Sequence, residues 1–487
     1  MNMNVFDYFF ESSQHLEKDF LLGSKETISF KNLYNQSLKV ATFLNRYVGA
    51  HKNILIISPN SGFFITAYLS ILKSGNVCVP LNFAIEQEQL DYILKETESE
   101  TVFMAKSIRD KYMLPSEIQV IEELDLQQII DHQAMDDYYV DVNKNQVAEI
   151  IFTSGSTGLP KGVMITHENI IANTNSIISY LKLTSKDIMC VVLPFYYCYG
   201  LSLLHTHLRV GGSMVLNNSF MFLGAVISDI KDYKCTGFAG VPSHFQILLK
   251  KSNSFKTTAF PDLRYVTQAG GKLHTIFIEE FIDAFPEIDF YIMYGQTEAT
   301  ARLSYLEPKH IKAKTSSIGK PIPKVSFKIV DETGKKLGAN KEGELLAKGK
   351  NIMLGYYKDV VETKKTIKNG WLYTGDVAIM DNEGFYYLVA RKKEILKVAG
   401  KRVSPKEIEA VILSLEEVMD CTISGYDDDV FGEAIQATIV AKGTFNEEQL
   451  KEKILHICSK KLAMYKIPQK ICFEKAIKMS ASGKKIK

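Results

Sequence analysis

Between residues 152 and 162 the chain reads FTSGSTGLPKG, a run of hydroxyls and glycines ahead of one lysine. Backbone N–H groups reach an anion closely where no Cβ stands in the way. Ser154, Ser156 and Thr157 add hydroxyl donors and Lys161 a positive charge, so the stretch suits a polyphosphate. A Walker A loop is excluded: counted from Gly155, Pro160 stands where the second glycine belongs, and Gly162 follows the lysine. A Gly/Ser tract alone would read as a solvated surface loop. The apolar VAEIIF ahead of it predicts a strand that delivers the loop to a sheet edge, and this favours phosphate.

Three further positions carry compatible chemistry. YGQTEAT at 294–300 follows the strand-like DFYIM, and it offers the Thr297 hydroxyl to phosphate and the Glu298 carboxylate to Mg²⁺. WLYTGDVA places Asp376 after Gly375, where a carboxylate can accept two hydrogen bonds from a ribose diol. Lys484 stands in MSASGKKIK, three residues before the last residue. Each has a plainer reading on its own: a strand-to-helix turn, a turn aspartate, a solvated terminal lysine.

The elements that must hold these groups are legible as patterns. Residues 53–82, NILIISPNSGFFITAYLSILKSGNVCVPLN, read as a β-α-β unit with Phe64, Tyr68, Ile71 and Leu72 on one helix face. The pattern recurs around IMCVVLP and GSMVLN, and again at YVTQAGG and DFYIMYG, which predicts buried parallel strands with crossover helices. After about residue 318 the texture changes to short alternating strands, with DETGKK as a hairpin connection, a second hairpin at DVAIMDNEGFYYLVA, and a hinge at RKKE. From 394 onward the chain reads as an α+β module. Its first helix is announced by VSPKEIEAVI, with Ser404 as N-cap, Pro405 at N1, Glu407 completing a capping box, and Ile408, Val411, Ile412 and Leu415 facing the core.

A length of 487 residues predicts two or three domains, and 46% hydrophobic with 23% charged residues fits an ordinary globular enzyme. Fifty-eight basic against 56 acidic residues leave a net charge of +2, no field for nucleic acid or a membrane surface, so small-molecule partners are expected. The cysteines at 78, 190, 198, 235, 421, 458 and 472 form no C-x-x-C pair and imply no structural zinc. The N-terminus lacks a basic stretch followed by an apolar one, and no run reaches membrane-span length, so a reducing cytoplasm is expected.

Taken in order, these motifs resemble the adenylate-forming (AMP-binding) superfamily, in its acyl-CoA synthetase or acid–thiol ligase branch. The resemblance runs from LKSGNVCVPLN near residue 72 through FTSGSTGLPKG, YGQTEAT, GELLAKG, YTGD and RKKEILKVAGKRVSP to YKIP and the terminal SGK. It implies an α/β fold: a large N-terminal AMP- and acid-binding domain over 1–391, built of stacked, mostly parallel sheets with helices. That domain includes a small β-barrel-like antiparallel region at 318–391, and a small mobile α+β C-terminal domain follows at 392–487.

By the same resemblance, Thr153, Ser154, Gly155, Ser156, Thr157, Gly158 and Lys161 would clamp the β- and γ-phosphates of ATP. Thr297 would contact the α-phosphate and Glu298 the Mg²⁺ ion. Adenine would lie against Gly270, Gly271 and Lys272 with Tyr294 stacked on it, Gly295 and Gln296 adjacent, and Asp376 with Arg391 would hold the ribose. Lys484 would bridge the carboxylate and the α-phosphate, supplying positive charge where two anions meet. Rotation about Lys393 would then carry Lys484 away and bring Gly400, with Arg402 beside it, to the coenzyme A tunnel.

Gly295 stands where acetate-activating relatives carry a pocket-closing tryptophan, and LPFYYCYGLSLLHTH has no Asp for a substrate ammonium, so acetate and amino acids are disfavoured. A pocket lined by Tyr196, Tyr197, Tyr199, His205, Val241 and His244 implies a medium or long acyl chain or an aryl acid. His205 and His207 alternate on a helix facing the core, and at least one of them reads as packed structure. Tyr197 departs from the family's usual His, which leaves the gating of the pocket open. The chain ends three residues after Lys484, which points to an external thiol: coenzyme A, with an acyl carrier protein in trans as the alternative. A catalytically inactive nucleotide-binding module is the reading from another class, and the joint presence of Glu298, Asp376 and Lys484 speaks against it.

Overall fold

The structure is a computed structural model, and it describes residues 4–23, 26–135, 140, 142–153, 160–392, 396–398, 401–428 and 432–477. The expected β-α-β unit is present as strand Asn53–Ile57, helix Gly62–Lys73 and strand Val77–Leu81, with the two strands parallel. Ser61 starts the helix by accepting from the Phe64 N–H at 3.2 Å. The helix does not present a single apolar face to the core: Gly62 through Leu72 are all buried. A helix that is apolar all round is an interior helix, and this one packs in one cluster with the helices Val5–Phe10 and Cys198–Val210.

Strands 53–57, 77–81, 101–104 and 119–121 are parallel, and the strand Val147–Thr153 joins them before turning antiparallel into Lys161–Thr166. The second sheet has fourteen strands. Its parallel part comprises Ile188–Val191, Ser213–Leu216, Gly237–Gly240, Tyr265–Gln268 and Asp289–Tyr294. The antiparallel part begins earlier than expected, at Ser304–Leu306 opposite Tyr294 rather than near 318, and continues through Ser317–Pro321 to Trp371–Met380 and Tyr386–Arg391. DETGKK makes the tight turn expected of it, closed from Gly334 N–H to the Asp331 carbonyl at 3.0 Å, but the long antiparallel partner of Ser326–Val330 arrives only at Gly343. The Asp381 turn forms the second hairpin, its carboxylate accepting from the Glu383 and Phe385 N–H groups at 2.9 Å each.

The C-terminal part has its own sheet and a core of its own, built from Leu396, Val403, Ile408, Ile412, Ile423, Ile439 and Ile454 among others. Its first helix, Pro405–Ile412, has proline at N1 as read, but the capping box does not form. Ser404 Oγ donates to the Val389 carbonyl at 2.8 Å, and Glu407 is drawn to Lys466 Nζ at 2.6 Å. The cap hydroxyl is used to tie this helix to the preceding hairpin. All seven cysteines are free thiols. Among the described residues, no helix is long and apolar enough to cross a membrane.

A polar cluster lies in the interior between the sheets. Tyr68 Oη donates to Glu149 Oε2 at 2.8 Å and lies 2.7 Å from His205 Nε2, while the His205 ring stacks on Phe9. His205, expected in the acid pocket, is therefore a packed interior histidine at 3% exposure, and burial depresses its pKa to about 3. His207 is buried on the same helix. Desolvation pushes Glu149 up to about 7, against the ordinary 4.5. Across pH 4.5 to 7 the folded protein holds a proton here that the unfolded chain releases, so this residue's contribution to stability falls as pH rises through that window. Glu149→Gln removes the effect. The melting temperature of the variant minus that of the wild type, taken across the same window, should climb toward neutral pH; a flat difference would show that Glu149 titrates normally.

Candidate active site

The strand Asp289–Tyr294 ends where the sheet changes from parallel to antiparallel, and the turn that follows carries most of the predicted groups. Gly295 is forced there by close approach. A Cβ at that position would lie 1.8 Å from the Ala301 carbonyl oxygen and 2.9 Å from Arg302 Cα. Glycine at 295 therefore has a steric cause in the fold of this turn, beside the pocket reading given to it above. Thr300 and Ala301 hold positive φ angles of 57° and 113°, a strained path for residues with a Cβ. Asn351 stabilises it, donating to the carbonyls of Ala299 and Arg302 at 3.2 and 2.8 Å, and Asn173 adds a bond to the Arg302 carbonyl at 3.2 Å.

Thr297 and Glu298 sit at the crest of this turn in a short 3₁₀ segment. Cys198 Sγ lies 3.6 Å from Thr297 Oγ1, and Glu298 Oε1 accepts from Tyr356 Oη at 2.9 Å. Tyr356 was not legible as a site residue. It belongs to the two-residue strand Gly355–Tyr356, which pairs with Val163 and Met164, and burial together with the Glu298 charge holds its phenol far above the usual range. Lys161 forms an ion pair with Glu362 at 2.9 Å and lies 5.5 Å from the Tyr356 ring centroid. Thr153 and Lys161 face each other in register and bring the two ends of the phosphate-type loop to this corner. Ser154, Gly155, Ser156, Thr157 and Gly158 themselves lie outside the described residues, as do Lys393, Gly400, Lys484 and the side chain of Arg402.

On the other side, Tyr294 Oη donates to Asp376 Oδ2 at 2.5 Å, and Arg391 Nε meets Asp376 Oδ1 at 3.0 Å. The register of the two antiparallel strands sets Asp376 directly opposite Arg391. Tyr294 is 8% exposed and belongs to one apolar cluster with Leu303, Ile318 and Leu345, and its hydroxyl orients Asp376. Gly270, at φ 83°, sits over Val241, and the Gln268 side chain donates to the Gly271 carbonyl at 2.8 Å. Lys272 lies within electrostatic reach of Lys406 and Glu409 of the C-terminal helix; desolvation and the like charge of Lys406 lower its pKa. His274 Nε2 lies 3.1 Å from the Ala410 carbonyl on the same helix.

These elements line a partly open cavity with about 50 Å³ of room for water centres, bordered by Tyr197, Tyr199, Val241, Gly270, Gly295, Gln296, Thr297 and Arg302 with their neighbours. That is room for on the order of four waters. His244, one helical turn beyond Val241, stacks on Phe220 at 4.1 Å; burial keeps it neutral with a pKa of about 4, and its Nδ1 has no partner. No group of three or more His, Cys, Asp or Glu at metal-binding positions occurs among the described residues. A divalent ion would be held by Glu298 and by phosphate oxygens of a nucleotide, the arrangement Mg²⁺ favours.

A family model described as AMP-binding enzyme matches residues 10–357, and one described as AMP-binding enzyme C-terminal domain matches 407–484. The chain belongs to the AMP-binding enzyme family. The oxalate–CoA ligase of Arabidopsis thaliana is 28% identical over 450 residues, 88% of this chain and 86% of that protein. The long-chain-fatty-acid–CoA ligase of Escherichia coli is 26% identical over 535 residues, 99% of this chain and 93% of the relative. Among solved structures, the o-succinylbenzoate CoA synthetase of Bacillus subtilis, in complex with its acyl-adenylate intermediate, is 25% identical with a TM-score of 0.87, covering 99% of this chain and 96% of that one. This AMP-binding enzyme is thus an adenylate-forming ligase of carboxylic acids, of the kind that works with ATP, Mg²⁺ and coenzyme A.

Gly295→Ala should destabilise the turn by about 1–3 kcal/mol, as overpacking does elsewhere, and should lower the melting temperature. An unchanged melting temperature would show that Ala301 and Arg302 give way freely.

Proposed function

We propose that the chain joins a compact carboxylic acid to the α-phosphate of ATP, releases pyrophosphate, and passes the acyl group to the thiol of coenzyme A. The observation that supports this most is the convergence, at the end of one strand, of the Thr297–Glu298 crest, the Asp376–Arg391 pair and an adjoining cavity. A carboxylate oxygen attacks the α-phosphorus, the bond from that phosphorus to the bridging oxygen breaks, and pyrophosphate leaves. Thr297 binds an α-phosphate oxygen, Lys161 with residues 153–158 holds the departing pyrophosphate, and Glu298 would hold the metal. Mg²⁺ supplies charge neutralisation on the phosphate oxygens. Lys484 places its ammonium between the two anions, where charge develops.

In the second step the thiol sulfur attacks the acyl carbon and AMP departs with the carboxylate oxygen. We assign this step to a second placement of the unit from residue 392 onward, turned about Lys393, with Gly400 and Arg402 at the thiol's approach. That this unit carries its own core supports the reading. On the acid, the small cavity supports a short or flat substrate, which keeps the aryl half of the expectation and disfavours the medium or long chain.

Asp376→Ala should weaken ATP binding by roughly 10- to 100-fold, the worth of hydrogen bonds to a charged group, as read by calorimetry; wild-type affinity would remove Asp376 from the nucleotide site. Lys484→Ala should bind ATP nearly normally yet lose acid-dependent exchange of pyrophosphate into ATP by at least about 100-fold. Exchange at the normal rate would overturn the role given to Lys484.

A further inference from the structure

Arg302 is a charged side chain that the reaction above does not use. It is 2% exposed and lines the same cavity as Tyr199, Gly295 and Thr297. A guanidinium stays protonated in proteins, and a charge taken out of water needs an opposite charge or strong hydrogen bonds to offset the loss. Among the described residues, the surroundings of Arg302 offer hydrogen bonds from neutral groups but no opposite charge. Its Nε donates to the Met293 sulfur at 3.3 Å, its central carbon lies 4.1 Å from the centroid of the Tyr199 ring, and the neutral Tyr180 hydroxyl is a further hydrogen-bond partner. Arg209, Arg264 and Arg391 each meet a carboxylate; among the described residues, none lies within 4.0 Å of Arg302.

The position matters as much as the charge. Side chains alternate along a strand, so Tyr294, turned to Asp376, and Met293, turned to Arg302, lie on opposite faces of Asp289–Tyr294. The guanidinium is therefore across the strand from the Asp376 pair, while the reacting carboxylate belongs beside Thr297 and Glu298. An anion at Arg302 would be the other end of the acid.

We propose that Arg302 binds a second anionic group on the acid, which makes the substrate a short dicarboxylic acid whose far carboxylate pairs with the guanidinium. The inference rests on the reading of the cavity as an acid site. A carboxylate is the planar acceptor that a guanidinium binds bidentately, and the small cavity leaves little space between the two ends. A monocarboxylate of equal length would leave the buried cation unpaired, the kind of mismatch that gives strong discrimination.

The test measures acid-dependent pyrophosphate release by the full chain with ATP, Mg²⁺ and coenzyme A, on pairs matched in length: butyrate against succinate, hexanoate against adipate. The wild type should favour one diacid over its partner by at least about 100-fold in kcat/KM. Arg302→Met should collapse that ratio by at least about tenfold, chiefly through KM for the diacid, and Arg302→Lys should restore part of it. Equal or better use of the monoacids by the wild type overturns the proposal, and this arm decides the matter even if Arg302→Met fails to fold. So does an Arg302→Met variant that loses both acids alike, since that pattern belongs to a merely structural arginine. Should no acid of any kind release pyrophosphate from a protein that binds ATP, the ligase reading itself fails and the proposal goes with it. Activity on monoacids alone would overturn the role of Arg302 and leave the ligase reading standing.

Discussion

The turn from Gly295 to Leu303 is the constraint on which the rest of the site depends. It reverses the chain within a few residues, so that Ser304 pairs antiparallel with Tyr294 and the parallel part of the sheet stops there. The reversal is tight enough to exclude a Cβ at 295 and to hold Thr300 and Ala301 at positive φ. Backbone strain of this kind persists only where its surroundings over-determine it, and the Asn351 and Asn173 side chains do so by binding the turn's carbonyls. Thr300 Oγ1 returns a bond to the Asn351 carbonyl at 2.7 Å. The result is a rigid crest with Thr297 and Glu298 on top, Tyr294 at its base on one face, and Arg302 at its end on the other.

Charge is distributed around this crest by burial and pairing. Asp376 is held between a phenol and a guanidinium, and Glu298 receives the Tyr356 hydroxyl. The nearby histidines contribute no charge: desolvation keeps His205 and His244 neutral at physiological pH. In the proposed reaction the positive charge for phosphates and carboxylates comes from Lys161, Arg302 and Arg391, together with whatever Lys484 and a metal supply.

Much of this was legible because it depends on local patterns. Apolar runs separated by helical stretches gave the parallel strands, and Gly375-Asp376 within an alternating run placed the carboxylate on a strand whose neighbour carries Arg391. What was not legible depends on distance through space. The Gly62–Lys73 helix looked one-sided because Thr66 and Ser70 are polar, yet both are buried, and the Ser70 hydroxyl is satisfied within the helix by the Thr66 carbonyl at 2.6 Å. Ser404 and Glu407 have the spacing of a capping box, yet competing partners at Val389 and Lys466, remote in sequence, take both. His205 was set beside the pocket with the rest of its stretch, but the phenol of Tyr68, itself bonded to the Glu149 carboxyl from another element, holds it in the interior. Arg302 carried no signal at all, since only its burial without a carboxylate sets it apart.

The central claim is that the acid's own oxygen attacks the α-phosphorus. It is tested most directly by supplying a carboxylic acid labelled with oxygen-18 in its carboxylate, together with ATP, Mg²⁺ and coenzyme A, and by mass analysis of the products. Each AMP formed should carry a single labelled oxygen on its phosphate, and pyrophosphate should carry none. Label in inorganic phosphate beside ADP, or AMP without label, would contradict it.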